Sequence, residues 1–186
     1  DDEVLRLCEA GIKVFELMGN EIQDISPPFK KDDITKAENF YRTRTLAELE
    51  LLPSTTREKG KVINTWAEEA KHYSGVDHYR DYLGTQDLRS RMFSAMGDND
   101  LLMLPTVPIP PYAAENPGLD DGDIFSPWCN TFVFNLTQQP AISIPCGKTS
   151  SGLPVGLQIV GRVHDDVSVL RAARAYEDYS GYQVMV

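Results

Sequence analysis

Residues 135–161 read NLTQQPAISIPCGKTSSGLPVGLQIVG. Two apolar runs, Ala141 to Cys146 and Val155 to Val160, flank Lys148-Thr149-Ser150-Ser151-Gly152, a set of residues that turns readily because Ser hydroxyls bond to nearby backbone and Gly tolerates any φ. The pattern predicts two paired core strands joined by a turn. Upstream, Leu101 to Leu104 is an apolar run closed by Pro105, short enough for a strand buried on both faces. Downstream, Asp165-Asp166 precede Val167, Leu170, Ala173 and Tyr176 at helical spacing, which predicts a capped last helix.

Working outward to the start of the chain, Val4, Leu7, Cys8, Ile12, Phe15 and Met18 recur every three or four residues behind the acids Asp1, Asp2 and Glu3, and Gly19-Asn20 follow. This predicts an amphipathic helix with a stop. Residues 21–25, EIQDI, alternate apolar and polar before Ser26-Pro27-Pro28 and are expected to form a short strand. Residues 33–96 are helix-compatible, with breaks near Pro53 and Ser74-Gly75 and apolar positions at Leu46, Leu49, Ile63, Trp66, Tyr79, Leu83, Leu88 and Met92; two or three helices are expected. Residues 105–127 hold six prolines and the acids Asp120, Asp121 and Asp123. So long an irregular excursion inside a domain usually lines a functional surface or is disordered.

The bulk composition narrows the function classes. The 186 residues, 41% hydrophobic, suffice for one ordinary domain. The net charge of −10 repels a phosphate backbone, so nucleic acid is not an expected partner. No run approaches the roughly 18 apolar residues of a membrane helix, and no signal segment opens the chain; the expectation is a cytoplasmic chain without a membrane partner. Cys8, Cys129 and Cys146 are odd in number and, with His72, His78 and His164, form no metal-ligand spacing. Neither a metal nor any other cofactor is expected. The first residue is Asp1 rather than Met, which suggests a piece of a longer product.

The 135–161 stretch, with LLMLPTVPIP at 101–110 and HDDVSVLRAARAYE at 164–177, closely resembles the C-terminal region of the amidase signature family. The opening DDEVLRLCEAGIKVFELMGNEIQDISPPF resembles the stretch that follows the catalytic half of these enzymes. The resemblance implies the C-terminal part of the α/β amidase-signature fold, a mixed β-sheet packed between helices. Residues 1–186 then form part of a single amidase domain, 1–100 mainly helical and 101–186 supplying core strands, a pocket loop and the last helix. It further implies amide hydrolysis by a Ser/cis-Ser/Lys arrangement upstream of this chain, so that no catalytic residue is expected here. The chemistry needs a lysine kept neutral by burial, a relaying serine and backbone N–H donors for the oxyanion. The implied partners are the missing N-terminal catalytic half and a small-molecule amide, with a homodimer left open. The alternative is a non-catalytic accessory or binding module derived from the same fold.

Several residues invite a chemical reading. Lys148, Ser150 and Ser151 are better read as a solvated turn than as a Ser/Lys site. Cys146 with His164 has the elements of a thiol nucleophile and base, but its apolar surroundings favour a buried structural thiol. Asn135-Leu136-Thr137 has the form of a glycosylation acceptor, and in the resembled family it is a structural tripeptide. Asp120, Asp121 and Asp123 read as a solvated acidic loop rather than a cation site. Pro105-Thr106 and Pro108 match the family's P-T-x-P step after a strand, and Gln138 stands where the family often has glycine. The family walls its acyl pocket with the segment before NLT, so Trp128, Cys129, Thr131 and Phe132 are the expected substrate-binding residues. In glutamine-dependent amidotransferase members an Asp at the place of Trp128 helps hold a charged amino acid. An aromatic side chain there favours a neutral or apolar amide, because charged groups are costly to bury without partners.

Overall fold

The computed structural model describes residues 1–115 and 123–181. Its helices are α1 (Asp2–Leu17), α2 (Lys31–Glu50), α3 (Ser54–Arg57), α4 (Lys61–Glu68), α5 (Gly75–Met96), α6 (Phe132–Thr137) and α7 (Asp166–Ser180); its strands are β1 (Leu102–Pro105), β2 (Ala141–Lys148) and β3 (Pro154–Val160). The chain divides into two compact units, Asp1–Pro27 with Met92–Val186, and Pro28–Arg91.

In the first unit the expected hairpin is present. β2 and β3 pair antiparallel, and β1 adds antiparallel to the far side of β3, giving the order β1-β3-β2. The turn is closed by Thr149, whose hydroxyl accepts from the Leu153 amide at 3.1 Å and whose N–H donates to the Leu153 carbonyl at 2.8 Å. Gly152 sits at φ +83°, a left-handed conformation that glycine adopts without a Cβ penalty. β1 differs from expectation: among the described residues it stands at the edge of the sheet, buried at Leu102 but only half-buried at Met103 and Leu104. A short apolar run does not reveal how many neighbours it has.

One face of this sheet carries Ile144, Val155, Leu157 and Ile159, packed with Val4, Cys8 and Phe15 of α1 and Ala173 and Tyr176 of α7. The Phe15 and Tyr176 rings stack at 5.5 Å. α1 begins where the Asp1 carboxylate accepts from the Glu3 and Val4 amides, with acids in its first turn opposing the helix dipole. Gly11 weakens a helix by roughly 1 kcal/mol relative to alanine. A Cβ here would lie 3.0 Å from Cys146 Cβ and 3.2 Å from Leu157 Cδ2, so its absence lets α1 lie close on the sheet. α7 is capped by Asp165, which accepts from Ser168 N, as expected from sequence.

The strand expected at 21–25 is not formed; these residues belong to no helix or strand. Alternation over five residues specifies a face, but a strand also needs a neighbour to receive its backbone hydrogen bonds, and no strand pairs with 21–25 among the described residues.

In the second unit the helical reading of 33–96 resolves into α2, α3, α4 and most of α5, with 3₁₀ turns at 58–60 and 69–72. The breaks fall near Pro53 and Ser74 as expected. The interior is partly polar: Asp33 is buried and accepts from Arg91 Nη2 at 2.6 Å, while Glu38 accepts from Trp66 Nε1 at 3.0 Å and Arg42 Nη2 at 2.7 Å. Leu88 is buried, whereas Ile63, Tyr79 and Leu83 are exposed. Ser74 and Asp77 cap α5 reciprocally, Asp77 N donating to Ser74 Oγ and Ser74 N to the Asp77 carboxylate. No helix among the described residues is long and apolar enough to cross a membrane.

Candidate functional site

The sheet face opposite α1 carries Leu104 and Thr106 from β1 and its exit, Gly156 and Gln158 from β3, and Ser143 from β2, as the register Leu104↔Gln158↔Ser143 requires. Segment 123–140 lies against this face. It begins with the Asp123 carboxylate accepting from the Phe125 and Ser126 amides at 2.9 Å each, an Asx arrangement that starts the 3₁₀ turn Ser126–Trp128. Asp123 is thereby a backbone cap, and the described residues hold no cluster suited to a metal. Asp120 and Asp121 lie outside the described residues.

Asn130 fixes the middle of the segment. Its side-chain amide donates to the Pro105 carbonyl at 2.9 Å, and its own carbonyl accepts from Gln158 Nε2 at 2.8 Å. Farther on, Gln139 Nε2 donates to the Gly161 carbonyl at 2.9 Å. Gln138 ends α6 in the left-handed region, φ 60° and ψ 31°, which is where glycine is easiest to accommodate.

Trp128 is 58% exposed although its backbone is hydrogen-bonded on both sides, to Phe125 O and from Thr131 N. Thr131 is half-buried, its hydroxyl donating to the Trp128 carbonyl at 3.0 Å. Cys129 is half-buried with Sγ 3.5 Å from Asn130 Oδ1; burial pushes its thiol pKa up, which disfavours a thiolate. Phe132 is buried and stacked on Phe125 at 5.0 Å. The four expected residues thus share one anchored segment but divide between an outward Trp128 and an inward Phe132.

Beside this segment the hydroxyls of Thr106 and Ser143 lie 2.6 Å apart. Gly156 makes room for them: a Cβ there would fall 2.5 Å from Ser143 Oγ and 2.8 Å from Thr106 Oγ1. Nothing in the local sequence pattern marks Asn130 or Ser143. Gln158 alone leaves a trace, as the one amide inside the apolar run VGLQIV.

The other candidates are absorbed by structure. Ser150 donates to the Glu3 carboxylate and Ser151 pairs with the Thr149 hydroxyl at 2.8 Å. Cys146 faces α1, where it meets Cys8 Sγ at 3.8 Å and the Val155 carbonyl at 3.4 Å. His164 is exposed, in the loop before α7, and is not among the Cys146 hydrogen-bond partners.

The amidase family model matches residues 2–170, and the chain belongs to the amidase signature family. It is 30% identical over 186 residues to an acylamidase of Rhodococcus erythropolis, covering 95% of this chain and 39% of that protein. It is 35% identical over 125 residues to a glutamyl-tRNA(Gln) amidotransferase subunit of Brevibacillus brevis, covering 65% of this chain and 24% of that one. Among solved structures, a bacterial aryl acylamidase of the same family superposes with a TM-score of 0.79 at 23% identity, over 98% of this chain and 41% of that one. The fold is therefore the α/β fold of that family. The chain spans less than half the length of each of these relatives.

Proposed function

We propose that residues 1–186 act as the C-terminal part of a single amidase domain that hydrolyses a carboxylic amide, with the serine, cis-serine and lysine that perform the chemistry lying upstream of this chain. Segment 123–140 then forms one wall of the acyl pocket. Trp128 and Thr131 present the wall surface, Cys129 fills behind it, and Phe132 holds it from beneath through its stack on Phe125. The partners of this reading are the N-terminal catalytic half and a small-molecule amide, in a cytoplasmic setting that suits three unpaired thiols.

The observation that carries the reading is Trp128: a large aromatic left 58% exposed on a backbone that Asp123, Asn130 and Gln139 tie down. Holding an apolar surface in water on a rigid support makes sense where something apolar packs on it. With no carboxylate at this place, the substrate is proposed to be a neutral or apolar amide rather than glutamine.

The test joins this chain to its upstream coding sequence and assays amine or ammonia release from a panel of aryl, alkyl and glutamine amides. Hydrolysis of the apolar amides by the joined protein, and none by residues 1–186 alone, is the expected result. Preferential glutamine turnover would overturn the substrate reading. Ligand binding and cooperative folding by residues 1–186 alone, without hydrolysis by the joined protein, would favour the accessory module instead.

A further inference from the structure

We propose that Cys8 and Cys146 form an oxidisable pair which hydrogen peroxide converts to a disulfide, clamping α1 to β2. Cys8 lies on the buried face of α1, 1% exposed, and Cys146 on the half-buried outer strand of the sheet. Their sulfurs are 3.8 Å apart with no bond between them. The two thiols are brought together by Gly11, one turn beyond Cys8, whose missing side chain lets the helix approach to where a Cβ would stand 3.0 Å from Cys146 Cβ. Rotation about the side-chain bonds is the motion that closes the remaining gap.

The surroundings assign the two roles. Cys8 is the more enclosed residue and Cys146, half-buried on β2, the one nearer a small oxidant in solvent. The hydrogen bond between the thiols raises the Cys8 pKa and lowers that of Cys146, which makes Cys146 the readier thiolate. In the first step the Cys146 thiolate attacks one peroxide oxygen. The O–O bond breaks, hydroxide leaves and takes up a proton as water, and Cys146 becomes a sulfenic acid. In the second step the Cys8 sulfur attacks the Cys146 sulfur. The S–O bond breaks, and the departing hydroxide takes the Cys8 proton and leaves as water. Two thiols lose two electrons in all, and one peroxide becomes two waters. Cys129 is an internal control, since its thiol lies against Asn130 in another segment.

The experiment treats the reduced protein, residues 1–186 joined to their upstream coding sequence, with hydrogen peroxide, alkylates it under denaturing conditions and maps the peptides by mass. The expected result is a loss of two hydrogens, a peptide joining Cys8 to Cys146, an alkylated Cys129, and an upward shift in Tm that dithiothreitol reverses. Cys8→Ser and Cys146→Ser each abolish the cross-link, while Cys129→Ser leaves it intact. Three results would overturn the proposal: Cys146 taken on to sulfinic acid with Cys8 still alkylatable, a cross-link through Cys129, or no mass change at peroxide levels that oxidise free glutathione. If either serine variant fails to fold, the peptide map of the unsubstituted chain still decides the matter.

Discussion

The Asn130 side-chain amide donates to the Pro105 carbonyl at 2.9 Å, and through that bond the segment bearing Trp128 is tied to the exit of an edge strand 25 residues earlier in the chain. Because the Asn130 carbonyl is also taken, by Gln158, this one residue joins the segment to both β1 and β3. Replacing Asn130 with alanine removes the bond to Pro105 together with the weak one from Cys129 Sγ, and keeps the backbone one. A loss of about 1 kcal/mol is expected, the net value of such a bond at a half-buried site. Chemical denaturation of the two proteins measures it, and a change within error would show that the anchor lies elsewhere.

Trp128 and Phe132 stand four residues apart and should respond oppositely. Phe132 is 4% exposed and stacked, so Phe132→Ala is expected to cost about 3 kcal/mol or more of stability. Trp128 is largely in solvent, and Trp128→Ala should change stability by no more than about 0.5 kcal/mol. In the joined amidase the same Trp128 substitution should raise KM for apolar amides several-fold with less effect on kcat. Thermal melts together with steady-state kinetics distinguish the two residues; a Trp128 variant with unaltered KM would remove it from the pocket wall.

Gly156 makes a different kind of prediction. Its alanine variant places a methyl 2.5 Å from Ser143 Oγ and 2.8 Å from Thr106 Oγ1, and overpacking of this kind costs roughly 1–3 kcal/mol. Removing the Ser143 hydroxyl relieves the closer clash, so Ser143→Ala should cost less in the Gly156→Ala background than in the native one. A double-mutant cycle reads that coupling directly; strict additivity would mean that the two residues do not meet.

Asp77 gives the acid dependence. Its carboxyl is held below the ordinary value of 3.8, chiefly by the Ser74 hydroxyl and then by the Ser74 amide. A depressed folded-state pKa adds stability above the unfolded value, and that stability is lost as pH falls through the folded one. The wild-type chain should therefore melt above Asp77→Asn near neutral pH, and the gap should close in acid below the ordinary Asp range. Helical circular dichroism against pH follows this, and a gap that persists in acid would contradict it.

The sequence made the elements with complete local patterns legible. α1 showed its buried stripe through Val4, Cys8 and Phe15 and its start through Asp1; α7 showed its cap through Asp165; the β2–β3 hairpin showed two apolar runs around a turn-forming set. Failures arose where the decisive partner is distant. Residues 21–25 alternate like a strand yet have no neighbour among the described residues to complete the ladder, and β1 has the composition of a central strand while standing at the edge of the three described strands. The site follows the same logic. Trp128 and Phe132 were both legible as aromatics before Asn135, but the 3₁₀ turn and the short α6 that face one outward and bury the other have no period long enough to read. Thr106 and Ser143 meet only because three strands align, which no spacing along the chain announces.

Pro145 gives the outer strand a further property. The Gly156 carbonyl points toward β1, where it accepts from the Thr106 amide at 2.9 Å, and Pro145 is the β2 residue paired with Gly156. Backbone groups of one residue point the same way in a strand, so at this step Pro145 directs its own nitrogen away from β3, onto the side of β2 that pairs with no strand among the described residues. That nitrogen carries no hydrogen. A second chain trying to add itself along β2 meets a missing donor midway, with the ladder irregularity between Pro145 and Gly147 directly after it. At this step β2 is therefore a poor template for an added strand, a brake on unplanned strand stacking.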